Sequence, residues 1–350
     1  MKNASLTLPR LQSFVERFPS ARIAVIGDFF LDRYLDIDPA LEELSVETGK
    51  PAHQVARVRC FPGAAGTVVS NLAALGAGHL HAIGFTGDDG QGFDLRKALH
   101  ALGCSTDHLH STAERYTPTY LKPRDMTRPG LDGEHSRYDT KNRRTTPEDL
   151  QQKIIQSLGS MLDEIDAVII LDQVEANDCG VITASVREAI CQLAVETPRL
   201  LFWADSRRRI RLFRHVIIKP NQFEAIGNEN PLPGDEVVLD DLVSAAKELR
   251  VKTAAPIFIT RGEAGMLVSD PDWTIVPTVR VTGEIDPTGA GDSATAGAVL
   301  ALCAGADHAE AAVVGNLVAS ITVQQLATTG TASPAQLLER HDLWQCQRSS

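Results

Sequence analysis

Short apolar runs alternate along this chain with longer stretches in which apolar residues recur every three or four positions. Residues 22–27, 79–84, 167–171, 200–204, 216–219 and 256–260 are such runs, the pattern of strands buried on both faces. Residues 68–75, 93–102, 147–162, 181–194 and 239–249 between them carry helical spacing. Strand and helix in alternation predict a mostly parallel central sheet with helices on both faces, an α/β/α fold of three layers. At the start, Leu11, Phe14, Val15 and Phe18 recur among Arg10, Glu16 and Arg17, which predicts an amphipathic surface helix and not a signal peptide.

Two segments break the rhythm. Residues 34–60 and 113–144 are polar, rich in charge and proline, and alternate only weakly. They are expected to form strands outside the main sheet, together making a small β lid over its open end, where ligands of such folds bind. Exposed edges on so small a sheet are usually covered or paired, so the lid is also expected to mediate a homodimer.

Composition narrows the classes. The 350 residues are 43% hydrophobic and carry a net charge of −11, which argues against nucleic acid or an anionic membrane as a partner. No apolar run reaches spanning length. Cys60, Cys104, Cys179, Cys191, Cys303 and Cys346 are scattered without a C-x-x-C pair, as suits reduced thiols in a cytoplasm.

The chemistry concentrates in Asp286-Pro287-Thr288-Gly289-Ala290-Gly291-Asp292, which opens a helix of small residues from Ser293 to Ala304 that Gly305 can stop. Free amides at a helix start, joined to a glycine turn, make a site for an anion. A carboxylate is a poor anion ligand, so Asp292 is better explained as acceptor of the proton from a hydroxyl attacking a bound phosphoryl group. The plainer alternative is a turn capped by Asp. Asp28 follows the strand that ends in Gly27, and Asp32 lies near it; two such acceptors can grip sugar hydroxyls. Lys122, Arg124, Arg137, Lys141 and Arg143 place positive charge on the lid, suited to a sugar or sugar phosphate.

These motifs, in this order, resemble the ribokinase/PfkB superfamily of sugar kinases, most nearly its heptose-7-phosphate kinase branch. Supporting stretches are Gly27-Asp28 with Leu31-Asp32-Arg33-Tyr34, Pro62-Gly63-Ala64-Ala65-Gly66, Gly87-Asp88-Asp89, Lys219-Pro220-Asn221-Gln222-Phe223-Glu224 and Thr260-Arg261-Gly262. The resemblance implies one ribokinase-like domain over residues 1–345, with the lid segments inserted and 346–350 as a tail. It implies Asp292 as catalytic base, Gly289, Ala290 and Gly291 as anion hole, and Gly63, Ala64 and Thr67 at the acceptor. The family's usual second glycine is here Ala64, and its usual sugar-contacting asparagine is Thr67, which puts inherited sugar identity in doubt. Asn221 and Glu224 would position magnesium and its waters, Arg207 the phosphate, Thr260 and Gly262 the ribose-phosphate loop, and Asn316 and Gly330 the adenine. Backbone oxygens of Asp286 and Thr288 would hold potassium.

Other chemistries fit less well. Gly289-x-Gly291-x-x-Ala294 satisfies a relaxed dinucleotide fingerprint, but the nearest acid downstream, Glu310, falls within an apparent helix, and Asp292 would face a pyrophosphate. No G-x-x-x-x-G-K-[ST] occurs. The reading that remains is an ATP- and magnesium-dependent sugar kinase, with a nucleoside kinase or a sugar-binding regulator of weak activity as alternatives.

Overall fold

The computed structural model describes residues 2–326 and 330–349. Six parallel strands form the central sheet in the order Ile217–Ile218, Leu201–Ser206, Ala167–Asp172, Arg22–Gly27, His79–Gly87 and Cys104–Thr112. Their side chains alternate between two cores. Ile23 and Val25 face one, with helices Leu8–Val15, Ala65–Ala74, Gly90–Ala101, Ala290–Cys303 and His308–Thr322. Ala24 and Ile26 face the other, with Glu148–Met161, Ala184–Glu196 and Leu239–Thr253. Burial on both sides explains why the central strands read as unbroken apolar runs. A four-stranded sheet of Lys2–Asn3, Thr274–Val276, Met266–Val268 and Phe258–Thr260 adjoins it through bridges Ile218–Ile257 and Asn221–Thr260.

The lid is a separate sheet in the order Tyr138–Thr140, Thr119–Asp125, Phe29–Ile37 and Val55–Ala64. It begins earlier than residue 34 and ends later than residue 60, because the chain leaves the central sheet at Gly27 and enters the lid strand at Phe29. The final helix, Pro334–Ser349, runs through residue 346, so residues 346–349 are helical and not a tail. Strand Cys104–Thr112 escaped the apolar pattern because it lies at an edge and alternates buried with half-exposed positions. The N-terminal helix is amphipathic as expected, with Leu11 and Phe14 buried and Arg10, Glu16 and Arg17 exposed. No described helix is long and apolar enough to cross a membrane.

One helix pair fixes the site. Ala290–Cys303 is buried on all sides from Ser293 to Ala301, which small residues permit. A Cβ on Gly297 would come 2.8 Å from Val318, and one on Gly315 2.8 Å from the Ala294 carbonyl oxygen. The two glycines thus let the helices approach closely. Across the pair, the Thr322 hydroxyl donates to Ser293 Oγ at 2.9 Å.

Candidate active site

Gly289 adopts φ 78°, the left-handed conformation that turns the chain into helix Ala290–Cys303. The Ala290 amide is already used, donating to the Pro287 carbonyl, and that of Ser293 donates to Gly289. The amides of Gly291 and Asp292 make no backbone hydrogen bond among the described residues. Of the expected anion-hole residues Gly289, Ala290 and Gly291, Ala290 thus has its amide engaged. Lys219 lies beside this turn: a Cβ on Gly291 would lie 3.3 Å from its Nζ.

Four charged groups meet here: Asp205 and Lys219 come from the carboxyl ends of two strands, Glu224 from helix Gln222–Ile226 and Asp292 from the start of helix Ala290–Cys303. Lys219 pairs with Asp205 at 2.7 Å, and both are largely buried. Burial opposes charge on Lys219, yet Asp205, Asp292 and Glu224 hold its pKa above the ordinary value. Burial and then repulsion from Asp205 push Asp292 up to about 7, against the pull of Lys219 and Arg207. The same two causes push Glu224 up to about 7. This excess of carboxylate is what a divalent cation relieves. Among the described residues no three acidic, His or Cys side chains converge on one point.

On the lid side of Asp292 a cavity of about 460 Å³ opens, lined by Gly289, Asp292, Asp286 and Thr288 at its floor and by Asp32, Tyr34, Tyr120, Lys122, Arg124, Arg137 and Lys141 at its roof. Asp32 Oδ2 lies 3.6 Å from Lys122 Nζ, while its Oδ1 is buried without a partner. Burial, only partly offset by Lys122, raises the Asp32 pKa. Lys122 also hydrogen-bonds Tyr34 at 3.2 Å. A second cavity of about 220 Å³ adjoins, walled by Phe30, Phe85, Tyr120, Val174 and Cys179. The edge-to-face pair of Phe30 and Tyr120 lines both cavities.

Comparison with known proteins decides what this arrangement is. Residues 20–336 match the pfkB family carbohydrate kinases. The chain belongs to that family. As a pfkB carbohydrate kinase it is an ATP-dependent sugar kinase, a phosphotransferase with a hydroxyl acceptor. It is similar to the bifunctional protein HldE of Citrifermentans bemidjiense, 30% identical over 330 residues, which cover 94% of this chain and 65% of that protein. This kinase thus spans just under two thirds of that relative's length. Its fold is that of phosphofructokinase-2 from Escherichia coli in complex with potassium (TM-score 0.67, 19% identity, 93% of this chain and 99% of that one). Arabidopsis thaliana ribokinase complexed with ribose and ATP is similar too (TM-score 0.63, 17% identity, 91% and 98%).

Within this pfkB kinase the structure brings Asp292, Gly289, Asp32, Ala64, Thr67, Lys122, Arg207, Asp286 and Thr288 to one cavity. Gly63 packs against Asp32, where a Cβ would come 3.0 Å from its carboxyl carbon. Ala64 takes φ 52°, ψ −116°, a conformation proper to glycine. Asn221 and Glu224 form a capping box on helix Gln222–Ile226: Asn221 Oδ1 accepts the Glu224 amide at 2.9 Å and Glu224 Oε2 accepts the Asn221 amide at 2.8 Å. Thr260 bridges to Asn221, with Gly262 at the turn that follows. Asp286 Oδ1 accepts the Thr288 amide at 3.0 Å.

Three expectations need correction. Asp28 does not present a free carboxylate, since three backbone amides occupy its oxygens. Asn316 is buried and donates to the Val276 carbonyl, tying helix to strand. Gly330 is buried against Thr322, whose carbonyl oxygen a Cβ would meet at 2.7 Å. The arginine run also divides. Arg207 lines both cavities and donates to Gln173 at 2.9 Å, whereas Arg209 is buried in an ion pair with Asp172 at 2.6 Å. Sequence reasoning missed Asp205, Lys219 as a charged group, Tyr120 and Glu175. A polar residue at the carboxyl end of an apolar strand was the available signal for the first two.

Proposed function

We propose that the acceptor is a sugar phosphate of the heptose-7-phosphate type, with the attacked hydroxyl at Asp292 and the anionic end under the lid. One observation carries this: Lys122, Arg124, Arg137 and Lys141 line the same cavity as Asp292 and Asp32. In this reading Asp292 removes the hydroxyl proton as that oxygen attacks the γ-phosphorus and the bond to the β-phosphate oxygen breaks. The Gly291 and Asp292 amides and the Lys219 ammonium stabilise charge on the transferring group. Magnesium, held through water by Asn221 and Glu224 with Asp205 close by, would neutralise charge on the phosphates. Potassium would sit at the Asp286 and Thr288 backbone, a reading supported by the potassium complex of phosphofructokinase-2.

Cysteines scattered along the chain without a C-x-x-C pair favour the cytoplasm. A homodimer through the lid is supported by its edge strand Val55–Ala64, where Val55 and Val58 are exposed. Light scattering at micromolar concentration should give twice the chain mass, and Val58→Asp should halve it; a monomeric wild type ends the dimer reading.

A coupled assay with ATP and magnesium across sugars and sugar phosphates tests the acceptor. Phosphorylated sugars should give the higher kcat/KM; a preference for neutral sugars would overturn the reading. The aromatic walls of the second cavity favour a nucleoside acceptor as the second reading, so nucleosides belong in the same panel.

A further inference from the structure

Asp28 lines the smaller cavity, yet both of its carboxylate oxygens are engaged by backbone amides. Oδ2 accepts from the amides of Gln173 at 2.8 Å and Val174 at 3.0 Å, and Oδ1 from that of Val181 at 2.7 Å. The carboxylate thereby draws both ends of loop 173–181 onto the carboxyl end of strand Arg22–Gly27. Between the pinned ends Glu175, Ala176 and Asn177 form an exposed tip, while Gln173 and Glu175 line both cavities. The loop has no sheet partner, so side-chain anchors must fix it.

Arg209 supplies a second anchor, donating to the Val174 and Glu175 carbonyls and to Asn177 Oδ1. Arg115 supplies a third through the Cys179 carbonyl at 3.1 Å. Gly180 lets the loop close: a Cβ there would lie 2.5 Å from Asp28 Oδ1 and 2.9 Å from Val174 Cβ. Hydrogen bonds from amides to a carboxylate are about twice as strong as neutral ones, and Asp28 is almost fully buried.

We propose that Asp28 is a positioning residue for acceptor recognition. It does not touch the sugar; it sets Gln173 and Glu175 at the cavity wall by holding loop 173–181 from beneath, with Gly180 giving the clearance. This rests on the reading of the cavity as the acceptor site. An asparagine at position 28 would turn an N–H toward amides that are themselves donors, so one side of the clamp opens. An alanine at position 180 keeps the carboxylate but pushes the loop off it.

Asp28→Asn and Gly180→Ala separate this from direct contact. In the enzyme free of acceptor, both variants should speed hydrogen exchange of the Gln173, Val174 and Val181 amides by at least about tenfold. Both should raise the acceptor KM by about tenfold or more while the ATP KM stays within about twofold. If Asp28→Asn weakens the acceptor but leaves exchange unchanged, Asp28 acts by contact and the proposal falls. Unchanged exchange and KM in Gly180→Ala overturn it equally, and that variant carries the test should Asp28→Asn not fold. The exchange result needs no acceptor, so failure of the acceptor reading would appear separately, as absent turnover with an intact clamp effect.

Discussion

Lys219 and Asp205 form a buried ion pair, 2.7 Å from Nζ to Oδ2, beside the backbone of Gly291. The pair places a cation beside the start of helix Ala290–Cys303, and its carboxylate half raises the pKa of both Asp292 and Glu224. Because Asp292 must be ionised to act as base, kcat/KM in the free enzyme should fall as pH drops below about 7. Asp205→Asn removes the repulsion and should move this acid limb down by about one pH unit. A limb that stays put in a pH–rate profile would show that Asp205 does not tune the base.

Asp292→Asn should lower turnover by roughly 10²–10⁴-fold, the contribution of a positioned general base, with ATP binding retained. It should also change the pH dependence of stability. The folded pKa, about 7, lies above the ordinary 3.8, so folding favours the protonated form. That contribution is fully present below 3.8 and is lost as pH rises through about 7. The variant keeps a neutral side chain throughout. Its Tm should exceed that of the wild type at pH 8 and match it near pH 4. Equal Tm values at pH 8 would remove the buried-charge cost, and near-normal turnover would remove Asp292 from the mechanism.

Glu224→Gln retains an oxygen able to accept the Asn221 amide, so the capping box survives while the charge is lost. The magnesium concentration for half-maximal rate should rise several-fold, with the acceptor KM unchanged. Magnesium titrations at saturating ATP check this, and an unchanged dependence would leave Glu224 with only its capping role.

Ala64→Gly should stabilise the protein. At φ 52°, ψ −116° the methyl group sits in a region essentially restricted to glycine, a strain of about 1–3 kcal/mol. Glycine's greater freedom in the unfolded chain returns about 0.4–1 kcal/mol of that. A Tm increase of a few degrees by calorimetry is expected, and a lower Tm would mean the site tolerates alanine without strain.

The sequence by itself determined the layers and the glycine turn before helix Ala290–Cys303. Strands such as Ala167–Asp172, buried on both faces, must be apolar throughout, so they announce themselves. The run from Gly289 to Asp292 is equally legible, because a left-handed turn before a helix demands glycine within a few consecutive residues. Local signals of this kind also gave the Asn221–Glu224 spacing, although not that the two side chains cap one helix.

Only the tertiary structure decided which polar side chains stay free. Asp28 and Asp32 look alike in sequence, four residues apart. One accepts three amides from 145 to 153 positions away, and the other keeps a buried oxygen without a partner. Arg207 and Arg209 divide likewise, into a cavity wall and a buried partner of Asp172. Asp205 gained its influence on Asp292 only when the fold brought the end of strand Leu201–Ser206 near the start of helix Ala290–Cys303. Hydrogen-bond satisfaction and electrostatic repulsion depend on distance in space, and the order of residues along the chain does not encode that distance.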